Sequence, residues 1–242
     1  MRRLIPNPGP TTTEQQLDAY RPWEQAQADR PFTAMNFVVT LDGRATIGGR
    51  SGPIGSHADM EMLQRLRTRF DAVMIGAGTM RAERYGRPVE DQGERERREQ
   101  LGLPQDPLMV IVSGRLDLPW DAPLFTDGGG RVLIFTASEA EPPQTAASLQ
   151  VVRHEGRVDL AEALRHLRGE RGVRSLLSEG GPHLYGEMQA LGLVDELFLT
   201  IAPKLAGGEA PRIVEGELPG VAELELAWLL ERDGELFARY RL

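Results

Sequence analysis

The chain has 242 residues, 40% of them hydrophobic, enough to bury one sizeable core or two small ones, and one is expected. Its 28 Lys and Arg against 36 Asp and Glu give a net charge of -8, a field that opposes nucleic acid and anionic membranes, so any phosphate must be gripped locally. The absence of cysteine excludes disulfides, thiolate nucleophiles and thiolate metal sites, and no apolar run is long enough for a signal peptide or a bilayer span, so a cytoplasmic protein is expected.

Residues 1–30 place Pro6, Pro8, Pro10 and Pro22 among polar residues, the pattern of an extended arm with one short helix over 13–20 and no chemistry. From Phe32 onward, apolar runs of strand length alternate with amphipathic stretches of helix length, which points to βαβ units on a mainly parallel sheet. Strands are predicted over 32–41, 72–75, 108–112, 132–136, 149–152, 175–177 and 196–201. Helices are predicted over 56–69, with an apolar stripe at Met60, Leu63 and Leu66, and over 159–168, with Leu160, Leu164 and Leu167. Residues 90–100 are almost wholly charged and read as an exposed loop or solvated helix. Residues 224–230 and 235–242 flank Arg232-Asp233-Gly234, a turn signal for an antiparallel hairpin. Pro142-Pro143 and Gly128–Gly130 read as turns, no internal repeat is present, and residues 31–242 are taken as one domain behind the arm.

In open α/β sheets, ligands bind beyond the carboxyl ends of the strands, where helix N-termini offer N–H groups and a dipole that favours anions. Three glycine clusters fall there: Gly76-Ala77-Gly78-Thr79, Gly180-Gly181-Pro182 and Gly207-Gly208. The first two resemble phosphate cradles feeding helices. Pro182 suits a first helical position and would aim the N–H groups of His183, Leu184 and Tyr185 outward at a pyrophosphate. For any single cluster a plain strand-to-helix turn is an equal reading, and two together favour a ligand. Neither is a Rossmann fingerprint, because Arg81 stands at the third glycine position, and no P-loop occurs.

Glu179 follows an apolar run at a strand end, where a carboxylate can accept hydrogen bonds from an amine or amide or handle a proton; stabilising a helix start is the alternative. Asp42, in Thr40-Leu41-Asp42-Gly43, is a second candidate in what is also an ordinary turn signal. The four histidines, His57, His154, His166 and His183, show no metal-ligand spacing, and no G-x-S-x-G elbow exists, so neither a metal site nor a hydrolase is expected.

Four segments in order carry a resemblance: Asn36-Phe37-Val38-Val39-Thr40-Leu41-Asp42-Gly43, Asp71-Ala72-Val73-Met74-Ile75-Gly76-Ala77-Gly78-Thr79, Ser178-Glu179-Gly180-Gly181-Pro182 and Leu193-Val194-Asp195-Glu196-Leu197. They resemble the pyrimidine reductases of riboflavin biosynthesis, above all the stand-alone actinobacterial type. The resemblance runs from about Arg30 to the C-terminus. It implies a dihydrofolate-reductase-like α/β three-layer sandwich, with a mostly parallel central sheet ending in an antiparallel hairpin. It further implies NADPH-dependent reduction of the ribosylamino side chain of a pyrimidinone 5′-phosphate to ribitylamino.

By the same resemblance Thr79 and Glu83 touch the nicotinamide nucleotide and Ser113 lies at the adenosine end, while Gly76 and Gly78 are assigned to the cofactor as the glycine cradle described above. The 181–187 segment, which opens with Gly181 and Pro182, forms the pyrophosphate loop and Val38 lies under the nicotinamide, while Gly180 joins the cofactor residues as part of the same glycine cluster. Substrate falls to Glu179, Asn36 and Arg67, with Arg87 assisting at the phosphate, and Glu179 and Asp42 carry the catalytic assignment. Arg115, two residues past Ser113, is our choice for the cofactor 2′-phosphate. A hydride reductase chiefly needs two reactants held close, with the cofactor supplying the chemistry, so the absence of a nucleophile fits.

The chain departs from the bifunctional enzymes at Asn36, often lysine there, and at Glu83, often aspartate. Without cysteine it cannot supply the zinc deaminase step that accompanies the reductase in those proteins. Two other functions compete: a dihydrofolate or pterin reductase on the same fold, and a non-catalytic NADP-binding protein. The 196–201 strand and the C-terminal hairpin would leave bare sheet edges, which favours a homodimer, as the resemblance also implies.

Overall fold

The computed structural model describes residues 1–128 and 130–242, so Gly129 of the expected 128–130 turn lies outside the described residues. Its elements begin with β1 (Arg2–Ile5), β2 (Gly9–Pro10), α1 (Thr13–Leu17), β3 (Phe32–Thr40), α2 (His57–Arg67), β4 (Ala72–Gly76), α3 (Ala77–Glu83) and α4 (Gln92–Gln100). They continue with β5 (Leu108–Ser113), α5 (Pro123–Thr126), β6 (Arg131–Thr136), β7 (Ser148–Arg153), α6 (Leu160–Gly169) and β8 (Ser175–Ser178). The chain closes with α7 (Pro182–Ala190), β9 (Glu196–Ala202), β10 (Glu225–Arg232) and β11 (Glu235–Arg241). The result is a mixed α/β fold with a mostly parallel sheet and an antiparallel hairpin at its end. Two compact units make it up: Met1–Arg21, Thr33–Leu66 and Ser178–Leu242 form the first, and Pro22–Phe32 and Arg67–Leu177 the second.

In the second unit β4, β5, β6 and β7 pair in that order, all parallel. Val73, Met74 and Ile75 on β4 and Met109, Val110 and Ile111 on β5 are each almost wholly buried. Such unbroken apolar runs belong to strands covered on both faces. α6 starts at Asp159, whose side chain accepts from the Glu162 N–H at 2.9 Å, and it buries Leu160, Ala163, Leu164 and Leu167. The charged 90–100 stretch is a helix, yet not a wholly solvated one. Arg98 is fully buried, donating from Nε to the Pro104 carbonyl and from Nη1 to the Arg67 and Phe70 carbonyls, each at 2.8 Å.

The first unit orders its strands β2-β1-β10-β11-β9-β3, parallel only between β9 and β3. Asp233 (φ 56°) and Gly234 (φ 82°) form the two-residue turn of the β10–β11 hairpin, a left-handed pair that matches strand twist. Strand alternation on β3 half-exposes Asn36 and Val38 on one face and buries Met35, Phe37 and Val39 on the other. α2 starts at Ser56, whose Oγ accepts from the Ala58 and Asp59 N–H groups.

Three expectations are corrected here. The arm is not merely extended: β1 pairs with β10, α1 is shorter than expected, and Leu17 and Tyr20 are buried. β9 is interior, paired with β11 and β3, and the hairpin edge is covered by β1, so neither leaves the bare edge that was an argument for dimerisation. The α2 stripe is also rotated, with Ala58, Met62 and Leu66 buried and Met60 48% exposed. An i, i+4, i+8 row is the face that this helix buries.

Candidate active site

β8 runs into Glu179, 9% exposed, and then into Gly180 at φ +85°. A Cβ at Gly180 would stand 2.8 Å from Phe37 Cζ, so both backbone conformation and space demand glycine. The Gly180–Gly181 peptide bond is cis. Gly181 is the N-cap of α7 and Pro182 its first residue, and no side chain caps this end. The Tyr185 N–H donates to the Gly181 carbonyl at 3.0 Å, which corrects the expectation that it points outward. An N-cap carbonyl takes the first intrahelical bond, so of His183, Leu184 and Tyr185 only the first two keep N–H groups without an intrahelical acceptor.

Tyr185 stacks on Phe37, ring centroids 5.4 Å apart, and burial pushes its hydroxyl up to about 12, so it stays protonated. A Cβ on Gly186 would fall 2.0 Å from the Glu215 carbonyl oxygen. This glycine therefore admits the 211–216 segment against α7.

Asp42 lies just past β3. Its Oδ1 accepts from Thr40 Oγ1 at 2.6 Å and from the Ala206 N–H at 3.1 Å, and its Oδ2 from the Gly207 N–H at 2.7 Å. These bonds, that of Thr40 first, hold the carboxyl down at about 2. An ionised Asp42 thus fastens the Gly207-Gly208 loop, and the Leu41 N–H, donating to the Lys204 carbonyl at 2.8 Å, completes the clasp.

On the half-exposed face of β3, Val38 pairs in register with Thr200 of β9. Thr200 is hydrogen-bonded to Asp59 of α2, and burial, helped by the nearby Glu235, pushes the Asp59 carboxyl up to about 6. Sequence reasoning missed Asp59. The signal was its spacing from Met62 and Leu66, which puts it beside the buried row of the helix once the stripe is read correctly.

In the second unit, Gly76 is the uncapped N-cap of α3, and Gly78 is exposed with open space where a Cβ would stand. Thr79 and Glu83, four residues apart, share a helix face and are half-buried. Ser113 is buried at the end of β5, with Gly114 and Arg115 exposed beyond it. Arg67, at the end of α2, is buried, donates to the Pro88 carbonyl at 3.3 Å and lies over the Tyr85 ring at 5.3 Å. Arg87 is gripped in a two-point pair by Asp106, Nε to Oδ1 at 2.7 Å, which leaves only its remaining N–H groups for a ligand. Among the described residues no group of three or more His, Asp and Glu is placed to hold a metal ion, and no helix is long and apolar enough to cross a membrane.

A mostly parallel α/β sheet with glycine-led helix starts after β4 and β8, one of them preceded by a buried carboxylate, defines the class of nucleotide-dependent α/β enzymes. Within that class the chain belongs to the RibD C-terminal domain family, whose model matches residues 31–235. It is 31% identical over 185 residues to a 2,5-diamino-6-ribosylamino-4(3H)-pyrimidinone 5′-phosphate reductase of Archaeoglobus fulgidus, covering 74% of this chain and 83% of that protein. The protein of the same name from Methanothermobacter thermautotrophicus is 32% identical over 184 residues, 74% of this chain and 81% of that one. A pyrimidine reductase-like protein from Corynebacterium diphtheriae superposes with a TM-score of 0.80 at 27% identity, over 96% of this chain and 98% of the other.

Proposed function

We propose that this chain is an oxidoreductase of riboflavin biosynthesis that reduces the ribosylamino side chain of 2,5-diamino-6-ribosylamino-4(3H)-pyrimidinone 5′-phosphate to ribitylamino with a nicotinamide cofactor. The activity is that of the named relatives. One observation carries the reading on this chain's own residues: a buried Glu179 immediately ahead of the uncapped, glycine-led start of α7. That start fits a pyrophosphate, since the N-cap position bears no side chain and two backbone donors sit at the positive end of the helix dipole.

NADPH is our choice of cofactor, and when bound it supplies the hydride for the sugar C1. Gly180, Gly181, Pro182, His183, Leu184 and Tyr185 form the pyrophosphate turn, with His183 and Leu184 donating. Gly76, Gly78, Thr79 and Glu83 serve the nicotinamide nucleotide, Val38 its ring face, and Ser113 and Arg115 the adenosine end. Glu179 accepts hydrogen bonds from the pyrimidine's amine or amide groups and handles the proton, beside Asn36. Arg67 holds the substrate phosphate with help from Arg87. Asp42 is ionised at neutral pH, so it contributes by fixing its loop rather than by giving up a proton. The same reading makes the protein a cytoplasmic homodimer without nucleic-acid or membrane partners. The folate reductase and the non-catalytic alternatives are not favoured by the relatives above.

The test is NADPH oxidation by purified protein with the pyrimidinone phosphate, with dihydrofolate and with neither. Turnover only with the first, and a loss of about 100-fold or more in kcat for Glu179→Gln, is expected. Turnover with dihydrofolate, or an unaffected Glu179→Gln variant, refutes the assignment.

A further inference from the structure

The glycine-led turns assigned above to the cofactor sit at carboxyl ends of strands, yet the second unit has a cavity of about 420 Å³ at the amino ends of its strands. Its lining includes Asp71 and Leu108, at the starts of β4 and β5, and Arg131 and Ser148, the first residues of β6 and β7. These strands are parallel and five or six residues long, so about 17–20 Å of strand separates this end from the glycine-led turns.

The cavity is cationic in a chain of net charge -8. Arg131, Arg171 and Arg174 line it against one carboxylate, Asp71. That carboxylate is already taken up locally: its Oδ2 accepts from the Arg174 N–H at 2.9 Å, the Ser175 N–H at 2.9 Å and Ser175 Oγ at 3.1 Å. The nearby Asp106 is held by Arg87. The three guanidinium groups are loosely engaged. Arg131 reaches the Asp106 carbonyl at 3.5 Å, Arg171 Nε meets His166 Nε2 at 3.2 Å, and Arg174 Nε stands 3.9 Å from Asp71.

A fourth guanidinium lies behind the wall. Arg98 is bonded to the carbonyls of Pro104, which lines the cavity, and of Phe70, the neighbour of Asp71, and its Nη2 is buried without a hydrogen-bond partner. Burial pulls the Arg98 guanidinium below its ordinary range, to about 10, and it feels the charges of Asp71, Asp106 and Arg131. The lining holds no aromatic side chain on which a base could stack, while Ser148 and Gln150 offer groups for hydroxyls.

We infer that this cavity is a second binding site, for the phosphate of a sugar or polyol phosphate, separate from the proposed site of reduction. The arginines meet the phosphate with charge-assisted bonds, and Ser148 and Gln150 meet the hydroxyls. Titration calorimetry with ribose 5-phosphate, with NADP⁺ and the ribitylamino product both saturating so that the reduction site is filled, tests it. The wild-type protein and an Arg153→Ser control bind one equivalent that weakens with added salt. The Arg131→Ser/Arg171→Ser double variant binds at least about tenfold more weakly, with unchanged kcat/KM for reduction. Equal binding by the double variant overturns the site, because the ligand then lies elsewhere. Equal binding of free ribose overturns phosphate recognition.

Discussion

The Tyr20 hydroxyl donates to Glu196 Oε2 at 2.7 Å, tying the N-terminal arm to the first residue of β9. Glu196 is 2% exposed, Arg239 binds both its oxygens, and the Arg239 guanidinium lies 4.4 Å from the centre of the Tyr20 ring. Burial first, and Glu196 next, push the Tyr20 hydroxyl well above its ordinary range, so it remains a donor. Tyr20→Phe keeps the ring over Arg239 and removes only a bond to a buried charge. The urea midpoint should fall by the equivalent of about 1.5–3 kcal/mol at unchanged slope. An unchanged midpoint would mean that the arm is not anchored by this bond.

Asp42 makes a prediction about its loop rather than about global stability. Asp42→Ala removes the acceptor of the Ala206 and Gly207 N–H groups, so hydrogen exchange at both should quicken by about tenfold or more. The carboxyl is held low, so its contribution is present above its ordinary value and is lost only as pH falls through about 2. Wild-type protection of these two amides should therefore be flat from pH 4 upward. Protection that disappears near pH 4 would show that the clasp does not depend on the carboxylate.

Arg115 tests the choice of cofactor. It is exposed just past Ser113, as a residue that meets a phosphate at the rim of a site should be. A charge-assisted bond to the 2′-phosphate contributes about 1.5–3 kcal/mol, so Arg115→Ala should lower the preference for NADPH over NADH by about 10- to 100-fold in kcat/KM. An unaltered preference removes Arg115 from that role.

Much of this architecture is legible in the sequence because period changes mark it. The buried runs around Val73–Ile75 and Met109–Ile111 cannot lie on a solvated face, and Asp233-Gly234 can hardly be anything but a hairpin turn. What stays illegible depends on partners distant in the chain. The four-residue β1 has no pattern of its own and exists because β10 supplies its hydrogen bonds. Arg98, amid charged neighbours, is singled out only by the carbonyls of Arg67, Phe70 and Pro104 that converge on it. The glycine clusters were readable as helix starts, but the demand for glycine at Gly180 comes from the Phe37 ring, 143 positions earlier in the numbering (180 − 37).

Asp59 is the residue whose effect on stability should change most visibly with pH. Burial, with Glu235 adding to it, lifts its carboxyl to about 6 from an ordinary value near 3.8, while the bond from Thr200 pulls the other way. Below about pH 3.8 the carboxyl is protonated in both folded and unfolded chains and contributes nothing. Between that point and about 6 the folded chain holds a proton that the unfolded chain has released, so stability falls as pH rises. Above about 6 the full cost of an ionised, desolvated Asp59 is present, about 3 kcal/mol at most. Asp59→Asn keeps the shape and a partner for Thr200 and removes the titration. Urea unfolding from pH 4 to pH 8 should show a declining stability in the wild type across that window, a flatter profile in the variant, and a variant more stable at pH 7. If the wild-type profile is flat there, or the variant is the less stable at pH 7, the Asp59 carboxylate is better solvated or better paired than its position beside Thr200 and Glu235 implies.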